Sequence, residues 1–360
     1  MTRSILYVNT PTYTGGAEIS LLTLMRHLDP ARYAPLLVTS GEGQLAESAR
    51  RYGIETLTQE FPWFRKRYPW RYPGSIARLA SIARRRQVAV IHTNCDHSLR
   101  YVMHAARLAG VPYVSHVRDF TRSWFQPEKV EALDRAARVI ANSEAIAVAC
   151  IQAGIDQDQV VVIYNPIDLR VFSEVSPEAV ATVRAELGIP SSAPVLGVVG
   201  QVCPEKGQRD FVEAAIRLAP RLANSHYLIA GAVPPSPVFD SFADSLHLRV
   251  QESGLGDRIH LLGFREDVPA LMQAMDILIV PSWSEPFGRV AAEGQAAGCA
   301  VVGTNAGGLP EIITDGVDGL LVKPRDVDGL VKAVVSLAEA PELRWRLGQE
   351  GRDRVKRFSV

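Results

Sequence analysis

Residues 276–312 read DILIVPSWSEPFGRVAAEGQAAGCAVVGTNAGGLPEI. An apolar run, DILIVPS (276–282), stops at Pro281-Ser282, and a loop carrying Glu285 and Gly288 follows it. A helical pattern with Glu293 inside it comes next, and a second apolar run, CAVVGT (299–304), leads to Gly307-Gly308. Apolar runs without polar alternation predict strands covered on both faces, and a helix between two of them predicts a parallel βαβ unit.

Outward from this unit the same alternation recurs along the chain. Towards the amino terminus lie RIHLLG (258–263), HYLIAG (226–231) and VLGVVG (195–200), then VVIYN (161–165), RVIANS (138–143), VPYVSHV (111–117), VAVIHTN (88–94), APLLVTS (34–40) and SILYVNT (4–10). A total of 360 residues exceeds one ordinary core, and two domains are expected. The break belongs after Asn165-Pro166-Ile167-Asp168 and before the Pro- and Ser-rich ELGIPSSAPV (186–195), giving domains 1–168 and 169–360. The fold class is α/β, a doubly wound parallel sheet built twice, with the carboxyl ends of the strands expected to face an interdomain cleft.

Hydrophobic residues make up 47% of the chain and charged residues 22%, which excludes a disordered or fibrous class. The amino terminus lacks the apolar core of a signal peptide, and no apolar run reaches the ~18–20 residues that span a bilayer. A cytoplasmic protein is expected. Cys95, Cys150, Cys203 and Cys299 have no metal or redox spacing and read as reduced core thiols. Net charge is zero but uneven: residues 1–165 hold 20 Lys and Arg against 14 Asp and Glu, and residues 166–360 hold 19 against 25. Much of the positive excess sits in residues 61–86, in FPWFRKRYPWRYPG and Arg84-Arg85-Arg86, where cations and aromatics interleave. That mixture suits either a solvated loop and helix face or peripheral contact with an anionic membrane.

Several strand ends carry residues suited to binding an anion. Thr14-Gly15-Gly16-Ala17-Glu18 runs into a helical pattern, where glycine amides and the helix dipole favour a phosphate. Its spacing is not that of a nicotinamide or flavin dinucleotide fingerprint. Lys206, in GQVCPEKG (200–207), stands at a strand-to-helix turn as a point charge for a diphosphate. Eight residues at helical rise put Glu285 and Glu293 at most about 12 Å apart. They cannot share a proton, but they can bracket an elongated ligand such as a nucleotide sugar. Asp326 and Asp328 read as a helix start rather than a metal pair.

Taken together, Glu285–Glu293, Gly263-Phe264, Lys206-Gly207, Asn165-Pro166-Ile167-Asp168 and Gly307-Gly308-Leu309-Pro310-Glu311 resemble the retaining GT-B glycosyltransferases of family four, the glycosyl transferases group 1. The resemblance spans nearly the whole chain and implies two Rossmann-like domains, the first for the acceptor and the second for a nucleotide-diphosphate sugar. It implies that Glu285 holds hydroxyls of the transferred sugar, Phe287 and Gly288 offer backbone amides, and Glu293 holds the ribose. Lys206 would neutralise the leaving diphosphate, Phe264-Arg265 would contact the base, Gly15 and Gly16 would close over the diphosphate, and His116 would line the sugar site. Gln201 stands where the family usually has Arg, so either Arg289, Arg118 or another cation is expected to compensate, or leaving-group stabilisation is poorer and the protein binds donor more than it turns it over.

The family continues past Phe358-Ser359-Val360 into a crossing helix, so a longer chain is expected. No metal or cofactor is required on this reading, and no nucleic acid is expected as a partner. The acceptor is a glycan or a lipid-linked one, placing the protein in polysaccharide or glycolipid synthesis, at the inner membrane face where the basic segment reaches it. Two alternatives stay open: a sugar-nucleotide epimerase of the same fold, and a weakly active sugar-nucleotide-binding subunit.

Overall fold

A computed structural model describes residues 2–62, 70–121 and 123–360. Its strands are β1 (Arg3–Asn9), β2 (Tyr33–Thr39), β3 (Glu55–Thr58), β4 (Val88–Thr93), β5 (Tyr113–Val117), β6 (Arg138–Ala141), β7 (Val160–Val162), β8 (Val195–Val199), β9 (His226–Ala230), β10 (Ile259–Gly263), β11 (Ile277–Val280), β12 (Ala300–Thr304) and β13 (Leu320–Val322). The chain divides into two compact units, Met1–Pro166 with Val360, and Ile167–Ser359.

In the first unit seven strands pair in the order β3-β2-β1-β4-β5-β6-β7, and in the second six pair as β10-β9-β8-β11-β12-β13. The ladders are parallel throughout. Each order reverses direction once, between β1 and β4 and between β8 and β11, and open α/β sheets bind ligands beyond the carboxyl ends of their strands at that reversal. The central strands are covered on both faces, as their composition requires. Ile277, Leu278, Ile279 and Val280 are all buried, as are all five residues of β12.

Two strands have no counterpart among the apolar runs of the sequence. β3, ETLT, and β13, LLV, are four and three residues long and contain no buried residue. Both lie at sheet edges, where half the backbone is unpaired and short, polar or half-covered strands are favoured over long apolar ones.

Some of the linking helices begin where a side chain satisfies a free amide. The Ser143 hydroxyl accepts from Ile146 N–H at 3.1 Å, and Ser176 accepts from Ala179 N–H at 3.2 Å. Asp326 caps helix Val327–Glu339 through Gly329 N–H at 2.8 Å, while Asp328 pairs with Arg217 at 2.6 Å. Among the described residues no helix is long and apolar enough to cross a membrane.

In the basic segment, residues 63–69 lie outside the described residues. Of the rest, Arg71 pairs with Glu60, Arg86 with Glu55, and Arg84 donates to the Leu108 carbonyl. Those three cations are therefore directed at the protein's own surface, leaving Arg78, Arg85 and the exposed Trp70 as the described part of any outward-facing patch.

Candidate active site

At the reversal point of the second sheet, β8 and β11 run side by side and release loops 200–207 and 281–288. The first loop closes in a short 3₁₀ turn, Pro204–Lys206, and passes through Gly207 into helix Gln208–Leu218. The Gln201 carbonyl accepts from the buried Gln208 side chain at 2.8 Å, which ties the start of the loop to its end. Gly207 is required by close approach, because a Cβ there would fall 2.1 Å from the Pro281 carbonyl oxygen. The two loops therefore touch through backbone before any side chain is considered.

Lys206 Nζ donates to Glu285 Oε2 at 2.7 Å, and Ser282 Oγ donates to the same oxygen at 2.9 Å. Burial alone would lower the Lys206 pKa, but the Glu285 carboxylate outweighs it and the net direction is upward. The ammonium is held charged, which is the state a diphosphate needs.

Glu285 is also braced from behind. Its carbonyl accepts from Gly308 N–H at 2.8 Å, and Gly307, at φ +55°, lies so near that a Cβ would sit 2.0 Å from that carbonyl oxygen. The Gly307-Gly308 pair thus supports the carboxylate loop by contact.

Helix Arg289–Ala297 starts directly after Gly288. The straight-helix estimate of the Glu285–Glu293 separation does not apply, since residues 285–288 are loop and only the stretch from Arg289 to Glu293 is helical. Arg289 and Glu293 form an ion pair at 2.7 Å, both largely covered. Arg preceding Glu by four is the less favourable order against the helix dipole, so the pair gives the helix little stability. Phe287 is buried at 2% exposure with its ring edge-on to Phe358 at 5.4 Å. Its side chain is core, so only its backbone can serve a ligand.

After β10, Phe264 is 55% exposed. Arg265 is fully committed: Asp267 takes its Nε and Nη2 at 2.8 and 2.7 Å, and Glu186 takes Nη1 and Nη2 at 2.6 and 3.1 Å. Two carboxylates thus occupy the guanidinium fork of Arg265 within the Phe264-Arg265 loop. Phe264 and the loop backbone remain as the groups that can meet a base.

In the first unit Gly15 caps helix Gly16–Arg26, and its N–H donates to Glu18 Oε2 at 3.0 Å. Gly16 is exposed with open space where a Cβ would stand. Behind this loop runs a buried polar chain. Asn9 donates to Glu18 Oε1 at 3.3 Å, Asn94 to Asn9 at 2.9 Å, and Arg118 to Asn94 at 2.5 Å and to Asn165 at 2.6 Å. Of the two arginines named as substitutes for the cation missing at Gln201, Arg118 is buried in this chain of polar groups and Arg289 is paired with Glu293. Asn9 and Asn94 were missed in the sequence, although polar residues closing two adjacent apolar strands were the available signal.

His116, at 5% exposure near the end of β5, lies with its ring 5.6 Å from and tilted against that of His92 of β4, which in turn meets Tyr7 at 5.0 Å. Neither ring nitrogen of His116 meets a hydrogen-bond partner among the described residues. Burial first, then Arg118 and His92, push its pKa well down, and burial with Arg118 pushes His92 down to about 3. Both imidazoles are neutral at pH 7. Because the folded value lies below the unfolded one, their stabilising contribution is present above about pH 6.5 and is lost as pH falls below it. Lowering the pH from 7 to 5 should cost about 2 kcal/mol through His92 alone, read as faster amide exchange in β4 and β5. A His92→Phe variant should show a flatter pH dependence, and an unchanged slope would contradict the assignment.

Among the described residues no group of three or more His, Cys, Asp or Glu side chains could hold a metal ion.

Comparison with known proteins places this geometry in context. Residues 180–354 match the family model described as Glycosyl transferases group 1, and residues 14–171 match the one described as Glycosyltransferase Family 4. A D-inositol 3-phosphate glycosyltransferase of Corynebacterium efficiens is 33% identical over 208 residues, 57% of this chain and 48% of that protein. An alpha-maltose-1-phosphate synthase of Mycolicibacterium smegmatis is 32% identical over 302 residues, 80% of this chain and 73% of that protein. The chain spans about half the length of the first of these relatives. The crystal structure of Anabaena HepE in complex with UDP and glucose superposes with a TM-score of 0.89 at 26% identity, covering 99% of this chain and 95% of that one.

Proposed function

The chain belongs to the glycosyltransferases of family 4, the glycosyl transferases group 1, and from that membership we propose that it transfers a sugar from a nucleotide-diphosphate donor to an acceptor with retention at the anomeric carbon. The observation that carries this reading is the Lys206–Glu285 pair, 2.7 Å apart, at the strand-order reversal of the second sheet and three residues before a helix N-terminus. An ammonium, backbone amides and a helix dipole converging on one spot suit the charge that grows on a departing diphosphate. Glu285 then orients the sugar, Glu293 the ribose, and Phe264 the base. The first unit takes the acceptor, a glycan or a lipid-linked one at a membrane face, and His116 lines its side of the sugar. No metal is needed, because Lys206 supplies the neutralising charge.

UDP-glucose is the first donor to try, since UDP and UDP-glucose are what HepE binds. A panel of UDP-, GDP- and ADP-sugars should include at least one that is slowly hydrolysed and raises the melting temperature, by about 2.7 kcal/mol of stabilisation at a hundredfold excess over Kd. Silence across the panel overturns the proposal. An epimerised donor in the same incubation would identify the epimerase reading instead, and protection without turnover would identify the binding subunit.

A further inference from the structure

Trp283 ties the 281–288 loop to three other parts of the second unit. Its backbone N–H donates to the Glu205 carbonyl at 2.8 Å, and its indole Nε1–H donates to Asp210 Oδ2 at 2.6 Å, in the first turn of helix Gln208–Leu218. The Arg325 guanidinium carbon lies 4.0 Å from the indole centroid. Arg325 reaches that place from φ +63°, a left-handed conformation that a side chain of its size rarely takes. Strain of this kind persists only where the surroundings hold it. Here the Asp326 cap of the next helix and the indole face do so.

On the other side of the same residue stands the reacting pair. Ser282 and Glu285 flank Trp283 closely in the chain, and Glu285 accepts from both Ser282 and Lys206, while Glu205, whose carbonyl accepts the Trp283 amide, immediately precedes that lysine. Any residue but proline at 283 could make the amide bond. Only tryptophan supplies both an N–H donor for Asp210 and a broad face for a guanidinium.

We propose that Trp283 is a positioning residue: braced by Asp210 and Arg325, it sets the separation of Lys206 and Glu285 and so the fit of the site to a departing diphosphate. This rests on the donor reading above. The brace acts through the loops alone, with neither Asp210 nor Arg325 required to touch the ligand.

The test compares Trp283→Phe, Asp210→Ala, Asp210→Asn and Arg325→Gly, with UDP-glucose as the probe. Misplacing a reacting group by about 1 Å can cost up to about 10²-fold. Trp283→Phe and Asp210→Ala should therefore lower kcat roughly tenfold or more while donor KM stays within about threefold. Asp210→Asn keeps an acceptor oxygen and should restore near-normal turnover. Arg325→Gly keeps the backbone conformation and removes the cation, and should fall between. Unchanged kcat in folded Trp283→Phe, or losses confined to melting temperature, overturn the proposal.

Amide exchange separates this outcome from failure of the donor reading. Should the wild type turn over no donor, faster exchange in residues 281–288 of Trp283→Phe still supports the brace, and unchanged exchange overturns it.

Discussion

Glu285→Gln is expected to lower turnover of the donor roughly 10²–10³-fold with little change in donor KM. The substitution keeps the shape of the side chain and removes the charge. What is lost is the partner that holds the Lys206 ammonium at 2.7 Å and accepts from Ser282 at 2.9 Å. Lys206→Met should fall in the same range for the complementary reason, because it removes the cation and leaves the carboxylate without its ion pair. Glu293→Ala should behave differently. Glu293 is paired with Arg289 rather than with Lys206, so its loss should raise donor KM and leave kcat nearly intact, the signature of lost uniform binding. Steady-state kinetics on the three variants decide the matter, and equal changes in kcat and KM for Glu285→Gln and Glu293→Ala would refute the division of labour.

Gly307→Ala should be strongly damaging although the residue has no side chain to contribute. The added methyl would lie 2.0 Å from the Glu285 carbonyl oxygen, and the residue would have to hold φ +55°. The obstacle is backbone, so no rotamer relieves it. A loss of about 2–4 kcal/mol is expected from the overlap and the strained conformation together. Gly254→Ala is the control. It has a similar φ of +68°, yet nothing lies within 4 Å of its added methyl, so only the conformational term remains, about 1 kcal/mol. Denaturation of both variants should show the gap, and equal losses would mean that the close approach carries no cost. In Gly307→Ala, displacement of the Glu285 carbonyl should also reduce turnover beyond what the unfolded fraction explains.

Most of the architecture could be read from the chain because buried parallel strands must be apolar on both faces. Runs such as DILIVPS and CAVVGT announce themselves for that reason. β3 and β13 were invisible for the same reason inverted, since edge strands escape the requirement. Lys206 and Glu285 could be singled out separately because each is a charged residue just beyond an apolar strand, and the fold brings them to 2.7 Å. Partnership was less legible. Nothing in the spacing of Arg265, Asp267 and Glu186 shows that one guanidinium is consumed by two carboxylates, because Glu186 comes from 79 residues away. The support of Glu285 by Gly307 is likewise a contact between loops that follow different strands. Residue type names the chemistry a position can perform, whereas topology decides which neighbour is left for it to act upon.

The Lys206–Glu285 pair also bears on how a donor arrives. An ammonium locked to a carboxylate is electrically quiet at a distance, and residues 166–360 carry 19 cationic against 25 anionic side chains. A diphosphate approaching such a unit meets no long-range attraction, so its encounter rate should depend only weakly on ionic strength. On the proposed donor reading, the positive charge would become available at contact, when the phosphate displaces the carboxylate from the lysine and frees Glu285 for the sugar. Recognition would then reside in how long the donor stays rather than in how fast it is drawn in.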